Sequence, residues 1–219
     1  NIRLSKSALS ERIEKLPKRT FHSYDWVEYD GRGTPELYDV SCEMTPSRGK
    51  LIFKFSGAEQ VTAFINAGPS AVAGVGVITP LLCMLAYDIP FNEGIWECVE
   101  IDVGKSGTLV NPRVPAPVTN AHMETGVRLG RMVAEIFSKS CLLSNSDEVS
   151  SRIAGQAPSA GCGAAWFGTR SDGTLTIFFP LDNLVAIGGG AQSTSDGQDL
   201  YGYQLTLGVS FPDVEVHEL

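Results

Sequence analysis

The chain has 219 residues, 43% hydrophobic and 9% aromatic, which suffices to bury a core in one large domain or two small ones and excludes an intrinsically disordered segment. Its 17 Lys and Arg stand against 25 Asp and Glu, a formal charge of -8, and no basic run interrupts the acidic balance, so nucleic acid is not an expected partner. The five cysteines, Cys42, Cys83, Cys98, Cys141 and Cys162, are odd in number and widely spaced, with no Cys-x-x-Cys pair. They fit free thiols in a reducing cytoplasm better than a disulfide framework. No charged n-region followed by an apolar run opens the sequence as given, and Asn1 stands where an initiator Met would, which fits a processed chain or a piece of a longer polypeptide.

In chain order, Ala8, Leu9, Ile13 and Leu16 recur at helical spacing in residues 5–16, with Ser5 or Ser7 available as a cap and Pro17 beyond the end. Residues 24–39 are polar, aromatic and rich in turn formers, and predict a loop or linker. This places a helix and linker in residues 1–36 and a main body in residues 37–219. Two β-like runs, 37–45 and 50–55, flank Pro46-Ser47-Arg48-Gly49 and predict a hairpin. Residues 71–87 are almost wholly apolar but carry Gly74, Gly76 and Pro80, and a bilayer span takes roughly 20 residues. A buried, kinked helix is the expectation, with no membrane partner.

Residues 97–103 alternate as a strand, and Gly104-Lys105-Ser106-Gly107 turns it into Thr108-Leu109-Val110. Pro112, Pro115 and Pro117 then predict extended backbone. A second long helix is expected over 121–138, with Gly126 and Gly130 kept for close packing, since each costs about 1 kcal/mol relative to Ala inside a helix. A short helix near 147–153 and strands at 164–167, 174–179, 201–209 and 214–217 follow, the first two strands joined by Ser171-Asp172-Gly173. Helices and strands that do not alternate regularly argue for an α+β fold with mixed or antiparallel sheets and two long helices, the first largely buried.

The chemistry-bearing groups are sparse. His22, His122 and His217 have no second His or Cys at ligand spacing, which argues against a zinc site. No serine sits in a Gly-x-Ser-x-Gly elbow. Gly188-Gly189-Gly190 lacks the Lys and Ser or Thr of a phosphate loop and is better explained as a turn. Glu124 with Arg128, and Arg131 with Glu135, are four apart on the second long helix and read as exposed pairs contributing roughly 0.3–0.5 kcal/mol. Asn111-Pro112-Arg113 is a stiff polar loop of the kind that holds ligand groups, although its residue types alone favour a structural role.

Taken in order, several segments resemble the central and C-terminal part of the large subunit of the hydantoinase B, oxoprolinase and acetone carboxylase family. They are Phe55-Ser56-Gly57, Phe64-Ile65-Asn66-Ala67, Ile89-Pro90-Phe91-Asn92-Glu93-Gly94, the run from Gly107-Thr108-Leu109-Val110-Asn111-Pro112-Arg113 through Pro117-Val118, and Glu124-Thr125 with Arg128. Gly188-Gly189-Gly190-Ala191, Asp196-Gly197 and Val214-Glu215-Val216-His217-Glu218 resemble the family's closing elements. Departures lie at Ala121-His122, where the family carries Gly-Asn, at Ser159-Ala160-Gly161-Cys162-Gly163-Ala164-Ala165, and at Leu205-Thr206-Leu207-Gly208-Val209-Ser210, where it is richer in polar residues.

The resemblance implies part of a longer B-type subunit, in a cytoplasmic, hetero-oligomeric, ATP-dependent enzyme. A hydantoinase A-like partner binds ATP, the remainder of the B-type subunit carries the metal motif upstream, and the substrate is a small molecule with an unreactive carbonyl. This chain is then expected to hold no cofactor, ATP and a divalent metal belonging to the assembled enzyme. Asn66, Asn111, Arg113, His122, Glu124 and Arg128 become substrate-cleft candidates, with no catalytic residue and no metal ligand assigned. Opening of a cyclic amide (hydantoin, oxoproline or lactam), carboxylation of a ketone such as acetone or acetophenone, and a non-catalytic scaffold that kept the fold all remain open at this point.

Overall fold

The structure, a computed structural model, describes residues 1–28, 36–63, 65–118, 125–144 and 166–178, together with 191 and 196. Its first helix, α1 (Ile2–Glu14), buries Leu9 and Ile13 on one face, with Leu16 buried just beyond its end. It starts at Asn1, so Ser5 is not a cap; its buried hydroxyl donates to the Pro90 carbonyl at 3.0 Å. Strands β1 (Phe21–Val27), β2 (Tyr38–Ser47), β3 (Lys50–Gly57) and β4 (Val99–Asp102) form a mixed sheet in that spatial order. The first three are antiparallel, and β4 returns parallel to β3.

The linker expected from residue 24 is therefore a strand as far as Val27. Its alternation was hidden by polar residues at both faces, since Phe21, Ser23 and Val27 point to the core while His22, Tyr24 and Trp26 are exposed. The β2–β3 hairpin is as expected but tighter. Its turn is the two residues Arg48 and Gly49, both at positive φ, which matches the twist of the flanking strands. Residues 1–36 supply Leu9, Ile13, Leu16, Phe21 and Val27 to the same contiguous core as the body that follows.

Between β3 and β4 the chain runs through α2 (Pro69–Ala71), a π-helical stretch (Val72–Ile78), α3 (Thr79–Met84) and the single turn α4 (Glu93–Trp96). The first three are continuous and make up the apolar helix foreseen in the sequence. It ends at Met84, so Tyr87 lies beyond it and is exposed. The widened turns are visible at Thr79, whose N–H reaches the Gly74 carbonyl five residues back. Helix α5 (Thr125–Leu142) lies across the sheet and the π-helical stretch. It extends past residue 138, and residues 121–124 lie outside the described residues.

Leu129, Met132, Val133, Ile136 and Phe137 give α5 its buried stripe, and the Phe137 ring meets Phe53 edge to face with centroids 6.2 Å apart. On the opposite flank, a Cβ placed on Gly76 would sit 3.2 Å from the Leu129 Cβ, so a glycine lets the two helices approach. Gly126 and Gly130 are also buried. Arg131 and Glu135 are used in tertiary contacts with β1: Arg131 pairs with Asp25 at 3.7 Å, and Glu135 accepts from the Ser23 hydroxyl at 2.6 Å and pairs with Lys139.

A second, two-stranded sheet pairs β5 (Trp166–Thr169) with β6 (Leu175–Phe178). Its turn carries Gly173 at positive φ, and Asp172 accepts from the Thr174 N–H, as the Ser-Asp-Gly signal predicts. The Thr174 hydroxyl and N–H hold the Asp172 carboxyl below its usual range. The helix expected near 147–153 and the strands at 201–209 and 214–217 lie outside the described residues. The α+β expectation holds, with helices covering a mixed sheet.

One polar group organises the crossover. Asn66 is fully buried; its Oδ1 accepts from the Val61 N–H at 2.9 Å, and its Nδ2 donates to the carbonyls of Val61, Ala63 and Pro117 at 2.9, 3.0 and 2.8 Å. Next to it the Thr125 hydroxyl donates to the Ile65 carbonyl. Two stability changes test this account in urea unfolding. Phe137→Ala removes the ring wedged on Phe53 and should cost about 3–5 kcal/mol. Asn66→Ala strands buried backbone groups without partners and should cost about 2–4 kcal/mol although it deletes few atoms. The exposed control Lys54→Ala should stay within about 0.5 kcal/mol.

Candidate functional site

The stretch from residue 58 to 68 leaves the sheet after β3, and the stretch from 103 to 118 leaves it after β4, so the parallel pairing of those strands sends both to the same end. They are laced together by backbone hydrogen bonds: Leu109 N–H to Ala58 O at 2.9 Å, Gln60 N–H to Gly107 O at 3.0 Å, and Ala67 N–H to Leu109 O at 2.7 Å. Leu109 and Val110 are buried and anchor this shelf in the core. Gly104 opens it at a φ of +68°, where a Cβ would stand 2.6 Å from the Phe55 carbonyl oxygen, so a side chain is barred on both counts.

The residues from 104 to 116 fold into a compact loop. Gly107 N–H donates to the Asn111 carbonyl at 2.7 Å, Asn111 N–H to Thr108 O at 3.1 Å, and the Asn111 Nδ2 to Gly104 O at 3.0 Å. Extended backbone was expected after Pro112, but residues 113–116 form a turn closed by Ala116 N–H to the Arg113 carbonyl at 2.9 Å. Arg113 is exposed, and its Nε donates to the Ser106 hydroxyl at 3.0 Å. The Gln60 side chain spans the Arg113 peptide groups, its Oε1 accepting from the Arg113 N–H at 2.6 Å and its Nε2 facing the Arg113 carbonyl at 3.4 Å.

Arg128 is in the first turn of α5, one turn after Thr125. It is half-buried, and its Nε has no hydrogen-bond partner among the described residues. A helix N-terminus favours negative charge nearby, because its first N–H groups lack intrahelical acceptors.

The six cleft candidates thus fall into three groups. Asn111 and Arg113 share the hydrogen-bonded loop. Asn66 is buried, with its amide wholly engaged by backbone, and connects the shelf to the Pro117 carbonyl. Arg128 stands at the start of α5, whose Thr125 is bonded to the shelf at Ile65. His122 and Glu124 lie outside the described residues. Gln60, Ser106 and Thr125 were not among the candidates although all three fasten this end of the molecule. Thr125 lay inside a quoted motif and Ser106 inside a turn signal, whereas Gln60 carried no signal at all.

Among the described residues no nucleophilic thiol serves the loop. The buried Cys42 is pushed up by burial and by Glu43, and Cys98 is pushed up by burial, so both stay protonated at neutral pH. The four described cysteines, Cys42, Cys83, Cys98 and Cys141, are free, and Cys162 lies outside the described residues. Among the described residues no three His, Cys, Asp or Glu side chains converge as a metal-ligand set, and no helix is long and apolar enough to cross a membrane.

Comparison with known proteins agrees with this architecture. The 5-oxoprolinase of Saccharomyces cerevisiae is 26% identical over 133 residues, covering 59% of this chain and 10% of that protein. The caprolactamase subunit beta of Pseudomonas jessenii is 30% identical over 128 residues, covering 56% of this chain and 21% of that subunit. The 5-oxoprolinase 1 of Arabidopsis thaliana is 30% identical over 159 residues, 69% of this chain and 12% of that protein. This chain therefore spans only a small part of the length of these relatives.

Two solved structures share the fold. The ATP-dependent caprolactamase from Pseudomonas jessenii superposes with a TM-score of 0.76 over 92% of this chain and 33% of its own, at 22% identity. Nucleotide-free acetone carboxylase superposes with a TM-score of 0.70 over 98% of this chain and 29% of its own, at 18% identity. The family model described as hydantoinase B/oxoprolinase matches residues 2–219, and the chain belongs to that family.

Proposed function

We propose that this chain is part of the B-type subunit of an ATP-dependent enzyme that opens a cyclic amide, and that the shelf around Asn111 and Arg113 borders its substrate cleft. The observation that supports this reading most is the match to relatives named for oxoproline and caprolactam, both cyclic amides. An amide resists attack because its nitrogen shares electrons with the carbonyl. Moving a phosphoryl group from ATP onto the amide oxygen removes that stabilisation and supplies a leaving group, which is the reason to couple ring opening to ATP. In this reading a hydantoinase A-like partner supplies the ATP, and the described part of this chain, which offers no ligand set, is assigned no metal step.

This chain's own residues would bind and orient. Arg113 presents a fixed positive charge beside Asn111, and Arg128 adds a second at the start of α5. Both suit an intermediate on which negative charge grows. His122 and Glu124, adjoining α5 in sequence, remain candidates for the same cleft. The likeness to acetone carboxylase shows a shared fold at 18% identity. Ketone carboxylation is therefore the second reading, and a non-catalytic scaffold the third.

The test is reconstitution of the complete B-type subunit with its ATP-binding partner, following phosphate release and product formation with a lactam, 5-oxoproline, a hydantoin, and a ketone plus bicarbonate. Cyclic amides should stimulate ATP hydrolysis in step with ring-opened product. Stimulation by the ketone alone, or by nothing, would overturn the assignment. Within the active enzyme Arg128→Ala should lower kcat/KM by about 100-fold, read from initial rates.

A further inference from the structure

We propose that Gln60 and Ser106 are positioning residues that hold Arg113 as a preformed receptor for an oxyanion, a carboxylate or phosphoryl group of the substrate. The inference deepens the function proposed above and rests on its placing Arg113 beside the cleft. Its physical content stands on the geometry of one loop.

An exposed arginine ordinarily loses much rotamer freedom when it binds an anion, and that entropy weakens the contact. At Arg113 much of this ordering is already in place. The Gln60 amide brackets the Arg113 peptide groups, accepting at 2.6 Å on one side and donating at 3.4 Å on the other. Gln60 is itself fixed, because its own N–H is bonded to Gly107 O at 3.0 Å. Backbone and side chain of residue 60 thus grip opposite ends of the same loop. The guanidinium is held in turn by the Ser106 hydroxyl at 3.0 Å and lies beside Gly107, where an added Cβ would be 3.7 Å from Nε.

The choice of acceptor matters. Ser106 is neutral, so it orients the guanidinium without cancelling its charge. It engages Nε alone, which leaves the Nη1 and Nη2 edge, two parallel N–H donors, for a bidentate oxyanion. Among the described residues no carboxylate forms an ion pair with Arg113, nor with Arg3 or Arg48, whereas Lys6, Arg12, Lys18, Lys50, Arg131 and Lys139 each have an acidic partner; Arg113 differs from Arg3 and Arg48 in having its Nε held by a hydroxyl. In a chain of net charge -8, an arginine held by a hydroxyl is the arrangement expected of a group kept for an incoming anion.

The test is ¹⁵N NMR of the Arg113 Nε–Hε group in the purified chain, assigned through Arg113→Lys and titrated with inorganic phosphate or with acetate at constant ionic strength. A saturable shift is expected with at least one probe; phosphate alone points to a phosphoryl group and acetate alone to a carboxylate. Gln60→Ala and Ser106→Ala should each raise the half-saturating concentration about five-fold, and Ser106→Thr, which keeps the hydroxyl, should restore it. Should Gln60→Ala fail to fold by circular dichroism, Gln60→Asn, too short to bracket both peptide groups, takes its place with the same expectation. An unsaturable shift with both probes, or a half-saturation unchanged in the Gln60 and Ser106 variants, overturns the proposal. Because binding is read without turnover, failure here leaves cyclic-amide-stimulated ATP hydrolysis to stand or fall by its own assay.

Discussion

Among the described residues, the fully buried amide of Asn66 ties together the segments that carry the cleft candidates. An amide removed from water must find partners for its two N–H groups and its oxygen, and here all of them are backbone groups at residues 61, 63 and 117. Those partners belong to the two segments that leave the sheet after β3 and after β4. A single side chain therefore sets the distance between the shelf and the residues leading toward α5. The Thr125 hydroxyl on Ile65 repeats the linkage from the helix side. Asn66 entered as a cleft candidate, and its geometry shows how the Asn111–Arg113 loop and the start of α5 come to share one end of the molecule.

The core packs closely behind that end. The buried row Phe21, Met44 and Phe53 runs across three strands in register, and Phe137 of α5 closes over it. The far side of α5 meets the π-helical stretch at Gly76 and Leu129. A helix gripped on two flanks cannot slide without opening a gap, since packed interiors leave few voids.

Much of this was legible in the sequence because it rests on local signals. The Arg48-Gly49 turn between alternating runs, the apolar segment broken by glycines, the long helix expected over 121–138 and the Asp172-Gly173 turn all carry their structure in neighbouring residues. Strand β1 was missed because its inward face includes Ser23 and Asp25, whose partners Glu135 and Arg131 are more than 100 residues away and convert polar positions into buried ones. Likewise the pairing of Arg131 and Glu135 along the helix was the local reading, and contacts across to the sheet were the larger fact. For the candidate site, motif order singled out the Asn111–Arg113 loop but not the side chains that shape it. Gln60 meets Arg113 across 53 positions, through a peptide-group contact that leaves no trace in residue type.

The distribution of charge carries the argument one step further. Most described cations with an ion pair face an acid on the surface, where such pairs contribute little and are screened by salt. Their role is to neutralise one another across α1, α4 and the sheet edge. Arg113 and Arg128 are arranged differently: one is oriented by a hydroxyl, and the other, like Arg131, has a buried Nε with no acceptor but, unlike Arg131, has no acidic partner among the described residues. Partly shielding the Arg128 guanidinium from water costs stability. That cost is not required by the fold, because the shelf is already closed by backbone hydrogen bonds and by Asn66. Among the described residues neither Arg113 nor Arg128 has an ion pair, and the anion-binding role proposed for both rests on that feature.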